Sequence, residues 1–167
     1  MNATIATRLL AVALLVSACG GKDAKPDTAT GDSTPPAPTA TAALDGASEY
    51  NVCATCHQAD GKGLPNLYPP LAGSELLNGP AEKPIAIVLH GLMGPVKVAG
   101  AEYNNVMMPW GQALSDDQIA AILTYERSSW GNTGSAVTAA EVAAVRKATA
   151  SRTTQWTIKE LESATLK

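Results

Sequence analysis

The pentapeptide Cys53-Ala54-Thr55-Cys56-His57 stands between a helical pattern and a glycine- and proline-rich loop, and its spacing decides how the rest of the chain is read. On a helix, side chains three apart share a face, so Cys53 and Cys56 can reach the same flat ligand while His57 turns its imidazole toward the centre. That register suits a haem: two thiols add across its vinyl groups and the neighbouring imidazole binds the iron from one face. The pattern predicts one covalent c-type haem on Cys53 and Cys56, with His57 as an axial ligand.

Two other uses of a Cys-x-x-Cys pair compete with this one. A thiol–disulfide redox centre expects a βαβ setting and a helix N-terminus that lowers one thiol pKa, whereas helical patterns and a Pro-rich loop surround this pair. Zinc, with His90 as a fourth ligand, would require adjacent Cys56 and His57 to bend toward one tetrahedral ion, and the sequence has no second Cys pair. An iron held by His57 also raises the question of a sixth ligand, for which Met93, Met107, Met108 and His90 are the candidates. A methionine would favour reduced iron and raise the potential. Adjacent methionines can equally serve as core filling.

Toward the N-terminus, Arg8 precedes the apolar run Leu9-Leu10-Ala11-Val12-Ala13-Leu14-Leu15-Val16, which is too short to span a bilayer and reads as an export signal over residues 1–18. The run ends Val16-Ser17-Ala18-Cys19, which resembles the bacterial lipobox, so Cys19 is the expected lipidated first residue of the mature chain. Gly20 in place of an Asp implies the outer membrane. With Cys19 given to lipid, Cys53 and Cys56 remain, and no disulfide framework is expected. Residues 19–42, rich in Thr, Ala, Pro, Asp and Lys with no apolar periodicity, read as a lipid-anchored flexible linker. The expected location is the bacterial cell envelope, facing the periplasm.

Downstream the apolar pattern becomes helical. Leu44, Ala47, Tyr50, Val52 and Ala54 predict a helix that begins near Asp45 and runs into the Cys pair. Residues 60–70 are loop. A helix is expected over about 80–90, with Ile85, Val88 and Leu89 on one face and Gly91 as its stop. Val96-Lys97-Val98 and Ala101-Glu102-Tyr103 flank Ala99-Gly100 as a small hairpin. Ser115-Asp116-Asp117-Gln118 is a capping box opening a helix with the stripe Ile119, Ile122, Leu123 and Tyr125, closed by Gly131. Thr138 to Glu141 starts another helix through Ala148, and Thr157 to Glu160 a last turn. Hydrophobic residues make up 46% of the chain, yet aromatics are 4% and Phe is missing, so a bulky cofactor would help to fill a core built from small pieces.

Taken together, residues 43–133 resemble class I cytochrome c, an all-α fold of short helices wrapped around one haem, here with a small hairpin before the Met loop. The residues that carry the resemblance are Gly46 and Tyr50 in the first helix, the Cys-x-x-Cys-His motif, Gly61-Lys62-Gly63-Leu64-Pro65, Tyr68-Pro69-Pro70-Leu71-Ala72-Gly73, the Met loop, and Ile122 and Tyr125 in a closing helix. The resemblance implies that Gly46 and Tyr50 meet Ile122 and Tyr125 where the first and last helices cross. It implies that the Pro69 carbonyl orients the imidazole of His57. Against Val106-Met107-Met108-Pro109-Trp110-Gly111 it selects Met107 as the sixth ligand, with Met108 as the alternative. His90 is then a helix-end residue, and Trp110 and Trp130 are expected to pack around the porphyrin. Residues 134–167 form a C-terminal helical extension in which Arg152-Thr153-Thr154-Gln155-Trp156 is similar to cytochromes serving oxidases or periplasmic dehydrogenases.

The implied function is one-electron transfer in a respiratory or periplasmic redox chain, without substrate chemistry of its own. The alternatives are a dedicated cytochrome subunit of a dehydrogenase or terminal oxidase, and a haem ligand sensor or enzyme in which the methionine leaves the iron. Across residues 43–133, Lys62, Lys83, Lys97 and Arg127 face nine acidic residues. This acidic balance argues against nucleic acid and for redox partner proteins with a basic docking patch. The protein is expected to act as a monomer or as a subunit of an oxidoreductase complex, meeting the membrane through its lipid.

Overall fold

A computed structural model describes residues 44–167. The expected signal peptide 1–18, the lipidated Cys19 and the linker 19–42 lie outside the described residues. Asp45 caps the first helix: its carboxylate accepts from the Ala47 N–H at 3.1 Å and the Ser48 hydroxyl at 2.7 Å. The helix runs as α1 (Gly46–Glu49) and, after a turn at Tyr50, α2 (Asn51–His57). A single helical turn, α3 (Glu75–Asn78), precedes α4 (Glu82–His90), in which Pro84 sits in the first turn, where a missing N–H breaks no bond. The stripe Ile85, Val88 and Leu89 is buried, together with Ala86 and Ile87.

The hairpin forms over the predicted residues, β1 (Val96–Val98) and β2 (Ala101–Tyr103), with Val96 opposite Tyr103 and Val98 opposite Ala101. Both turn residues, Ala99 and Gly100, have positive φ, the twist a two-residue hairpin requires. The Ser115 capping box opens α5 (Asp116–Ser128) with both of its hydrogen bonds made. This helix ends before the expected Gly131. Ser129 turns extended, and the Asn132 amide takes the Glu126 carbonyl at 2.8 Å, replacing a further helical turn. Capping boxes on Thr138 and Thr157 open α6 (Ala139–Ala148) and α7 (Ile158–Ser163).

Helix α1 crosses α5 at Gly46, where a Cβ would lie 2.4 Å from the Ala121 carbonyl oxygen and 2.8 Å from the Tyr125 Cβ. Only glycine permits that approach. Tyr50, Tyr125 and Trp130 close the crossing, with ring centroids 5.1 to 5.4 Å apart. Trp130 therefore stands in this aromatic cluster and not around the cofactor cavity, correcting the expectation for it. Its positive φ of 53° follows the early end of α5 and turns the indole back onto the crossing.

Behind the crossing, one apolar core runs through Leu77, Ile85, Leu89, Ile119 and Leu123 and continues into Val142, Val145, Trp156, Leu161 and Leu166. Arg127 is buried within it, its guanidinium donating to the carbonyls of Leu77, Gly79 and Ser135. These bonds tie α3 and the start of the C-terminal segment to α5. Among the described residues no helix is long and apolar enough to cross a membrane.

Candidate functional site

The last turns of α2 present Cys53, Cys56 and His57, both cysteines as free, partly buried thiols. The loop that follows folds back onto the end of this helix. Gly63 N–H donates to the His57 carbonyl at 2.9 Å, Leu64 N–H to Tyr68 at 2.9 Å, and Leu71 N–H to Gly61 at 2.7 Å. That path brings the Pro69 carbonyl to 3.0 Å from His57 Nδ1. A carbonyl can only accept, so the proton sits on Nδ1 and the Nε2 lone pair is left free. Burial pushes the imidazole pKa down, with the bond to Pro69 opposing, so the ring is neutral, as a metal ligand must be.

Cys53, His57, Pro69, Leu92, Val96, Met107 and Trp110 form the wall common to an inner cavity and its outer mouth. The inner part continues over Leu71, Ile87, Val88 and Leu123. Cys56, Tyr68, Val106 and Met108 border the mouth. Met107 is partly buried and borders both parts, whereas Met108 is 63% exposed and borders the mouth alone. Neither other candidate ligand borders the cavity. Met93 is exposed, and His90 Nε2 lies 2.7 Å from the Thr149 hydroxyl. A wider hollow beside Gly46, Gln118 and Thr124 holds no thiol, imidazole or thioether. An apolar slot with two thiols at its edge, a neutral imidazole and a thioether in its walls fits a haem. Zinc fares worse: among the described residues no three His, Cys, Asp or Glu side chains could hold a metal ion together.

Two features of the site went unread in the sequence. Glu126 is 4% exposed and borders the inner cavity together with Cys53. Burial pushes the carboxyl up to about 8, with the Cys53 thiol pulling against it. Burial, followed by the nearby Glu126, pushes the thiol up to about 12. The signal was available, because position 126 continues the stripe of Ile119, Ile122 and Leu123 at helical spacing. The second feature is Gly91, which does more than stop α4. A Cβ there would lie 2.4 Å from the Met107 carbonyl oxygen, so the residue is a spacer against the Met loop.

The cytochrome c family model matches residues 43–130. Cytochrome c-552 of Thermus thermophilus is 44% identical over 97 residues, which cover 56% of this chain and 65% of that protein. The cytochrome c subunit of a quinone-linked alcohol dehydrogenase from Gluconacetobacter polyoxogenes is 37% identical over 112 residues, 64% of this chain and 23% of that one. The gluconate 2-dehydrogenase cytochrome c subunit of Pantoea cypripedii is 41% identical over 109 residues, 61% of this chain and 24% of its own length. The chain thus spans just under two thirds of the first of these relatives and about a quarter of each dehydrogenase subunit.

Proposed function

Because the chain belongs to the cytochrome c family, we propose that it is a one-electron carrier of a bacterial redox chain whose haem is attached to Cys53 and Cys56 and ligated by His57 and Met107. When bound, the haem supplies a one-electron couple between ferric and ferrous iron, tuned by its axial ligands and its burial. The protein's own work is to hold and to insulate. The Pro69 carbonyl fixes the His57 tautomer and ring orientation, which also strengthens the ring as a ligand. Leu71, Ile87, Val88 and Leu123 keep water from the inner side. The mouth bordered by Cys56, Val106 and Met108 leaves one edge open for electron exchange.

The observation that carries this reading is the placement of His57 and Met107 in the wall of one apolar cavity that Cys53 also borders. Replacing Met107 and Met108 singly by Ala in the haem-loaded protein tests the ligand. The charge-transfer band from methionine sulfur to ferric iron should vanish in M107A and persist in M108A. The reverse result overturns the assignment of Met107. Rapid cyanide or carbon monoxide binding by the wild-type protein would favour the ligand-sensor reading.

A fixed role as a cytochrome subunit has its own support in the two relatives named as subunits of dehydrogenases. Co-purification of a stoichiometric oxidoreductase complex would favour it over a free shuttle. Attachment to the envelope follows from the lipobox-like Val16-Ser17-Ala18-Cys19, with the domain facing the periplasm. Cys19→Ser should move the protein from the membrane to the soluble periplasmic fraction.

A further inference from the structure

The C-terminal extension meets the candidate Met loop through a ribbon one residue wide. Leu92 and Met107 exchange both of their backbone hydrogen bonds, Leu92 N–H to the Met107 carbonyl at 3.1 Å and Met107 N–H to the Leu92 carbonyl at 2.8 Å. On the other side of Leu92, the Trp156 N–H donates to Gly91 at 3.0 Å and the Met93 N–H to the Trp156 carbonyl at 2.8 Å. Met107, Leu92 and Trp156 thus lie side by side, each from a different part of the chain. Gly91 passes between the other two segments: a Cβ there would meet the Met107 carbonyl oxygen at 2.4 Å and the Gln155 side chain at 2.9 Å.

A second tie holds the far end of the same loop. Trp110 and Gly111 N–H donate back to the carbonyls of Val88 and Leu89 at 2.9 and 3.2 Å. From α6, the Arg146 guanidinium donates to the Gly111 carbonyl, to the Leu114 carbonyl at 3.2 Å and to Asp116 at 2.8 Å. The Trp156 ring is buried, lies edge-on to His90 and carries the Arg152 guanidinium 3.5 Å from its centre. Its Nε1 is a buried polar atom without a partner, so backbone pairing and packing hold the residue in place, not the indole N–H.

We propose that residues 134–167 act as a strap that positions the Met loop, with Trp156 holding its start through Leu92 and Arg146 holding its end. The proposal rests on the reading of this loop as the source of the iron's sixth ligand. A covalently attached haem cannot leave, so a loosened strap should release the methionine and leave the haem in place. The strap would thereby separate an electron carrier from an iron open to small molecules.

The test compares haem-loaded wild type with W156A, W156F and R146M. Readouts are the sulfur-to-iron charge-transfer band, the rate of cyanide binding to the ferric protein, and thermal stability by circular dichroism. W156A should keep its haem, lose band intensity and bind cyanide about tenfold faster, the equivalent of losing roughly one net hydrogen bond's hold on the loop. W156F, which keeps the packing and drops only an unpartnered N–H, should match wild type. If W156A fails to fold, R146M makes the same measurement at the other end of the loop, with the same expected direction. Lower thermal stability with band and cyanide rate unchanged in the folded variants would overturn the proposal. M107A and M108A separate it from the ligand reading: loss of the band in M108A alone overturns Met107, while the strap, which holds the loop bearing both methionines, is still upheld or overturned by the W156A and R146M readouts.

Discussion

Glu126→Gln should stabilise the haem-loaded protein by an amount that grows with pH. The carboxyl's ordinary value is 4.5, and burial in the inner cavity pushes it up to about 8. Below pH 4.5 the folded and unfolded chains both hold the proton, and the group is neutral toward folding. Between the two values the unfolded chain has released the proton and the folded chain retains it. The unfolded state then binds fewer protons, so stability falls as pH rises and levels off above about 8. At 1.36 kcal/mol per unit, the cost is about 3 kcal/mol at pH 7 and about 5 kcal/mol on the plateau. Attaching haem to Cys53 removes the S–H that pulls the carboxyl down, and ferrous iron in its porphyrin dianion adds no net charge beside it, so the reduced, loaded protein should keep the shift. Gln has nearly the same shape and no proton to lose. Urea unfolding of both proteins at pH 5, 7 and 8.5 should give stabilities that differ by about 1 kcal/mol at the lowest pH and separate further above it, with Gln the more stable. A separation independent of pH would refute the reasoning, because a packing change does not titrate.

The same carboxyl should mark the redox equilibrium: its anion favours oxidised iron, so the midpoint potential should fall as pH rises through about 8, and E126Q should flatten that dependence in a spectroelectrochemical titration. Gly46→Ala places a methyl 2.4 Å from the Ala121 carbonyl oxygen, which belongs to the backbone and cannot swing away. The expected cost is about 3 kcal/mol, at the upper end of overpacking effects, read as a lowered melting temperature with the visible spectrum unchanged. Asn132→Ala removes one buried amide that bonds to Gly73 N–H, the Leu71 and Glu126 carbonyls and the Asn78 amide. Stranding several of these partners should cost about 2–4 kcal/mol in urea unfolding, where an exposed Asn would cost almost nothing.

What could be read in advance divides by the range of the interaction. The capping boxes at Ser115, Thr138 and Thr157 are complete within four residues, and the hairpin turn Ala99-Gly100 within two, so their elements begin or turn where the sequence indicates. The contact of Gly46 with Tyr125 was legible only through resemblance to a family in which the first and last helices cross, and its approach to the Ala121 carbonyl was not legible at all. Arg127 had no such guide. Its carbonyl partners at Leu77 and Gly79 lie about fifty residues away, and an Arg after a Glu near a helix end reads as solvated charge. Trp130 was expected around the porphyrin, whereas the early end of α5 turns it onto Tyr50 and Tyr125. Gly91 looked like an ordinary helix stop, since its second constraint comes from Met107 and Gln155, on segments that the sequence does not align with it.

The composition gives these distant contacts a reason. A chain with no Phe and few other aromatics must build its core from aliphatic side chains, and a cavity shaped for a large flat group removes part of the volume those side chains would fill. A loop without regular helix or strand, 104–110, must hold Met107 against that cavity. Val142, Val145, Trp156, Leu161 and Leu166 supply apolar surface there, continuous with Ile85, Leu89 and Ile119. At about 25 cal/mol per Å2 of apolar area buried, each such side chain contributes about 2 kcal/mol, more than one backbone hydrogen bond in the ribbon gives on balance. The ribbon through Leu92 therefore owes its order to the core beneath it. Losing Leu161 or Leu166 from that core should loosen the Met loop even though neither residue borders the cavity. A variant such as L161A should then shift the methionine band in the same direction as W156A, and a drop in stability without that shift would show that the core and the loop are uncoupled.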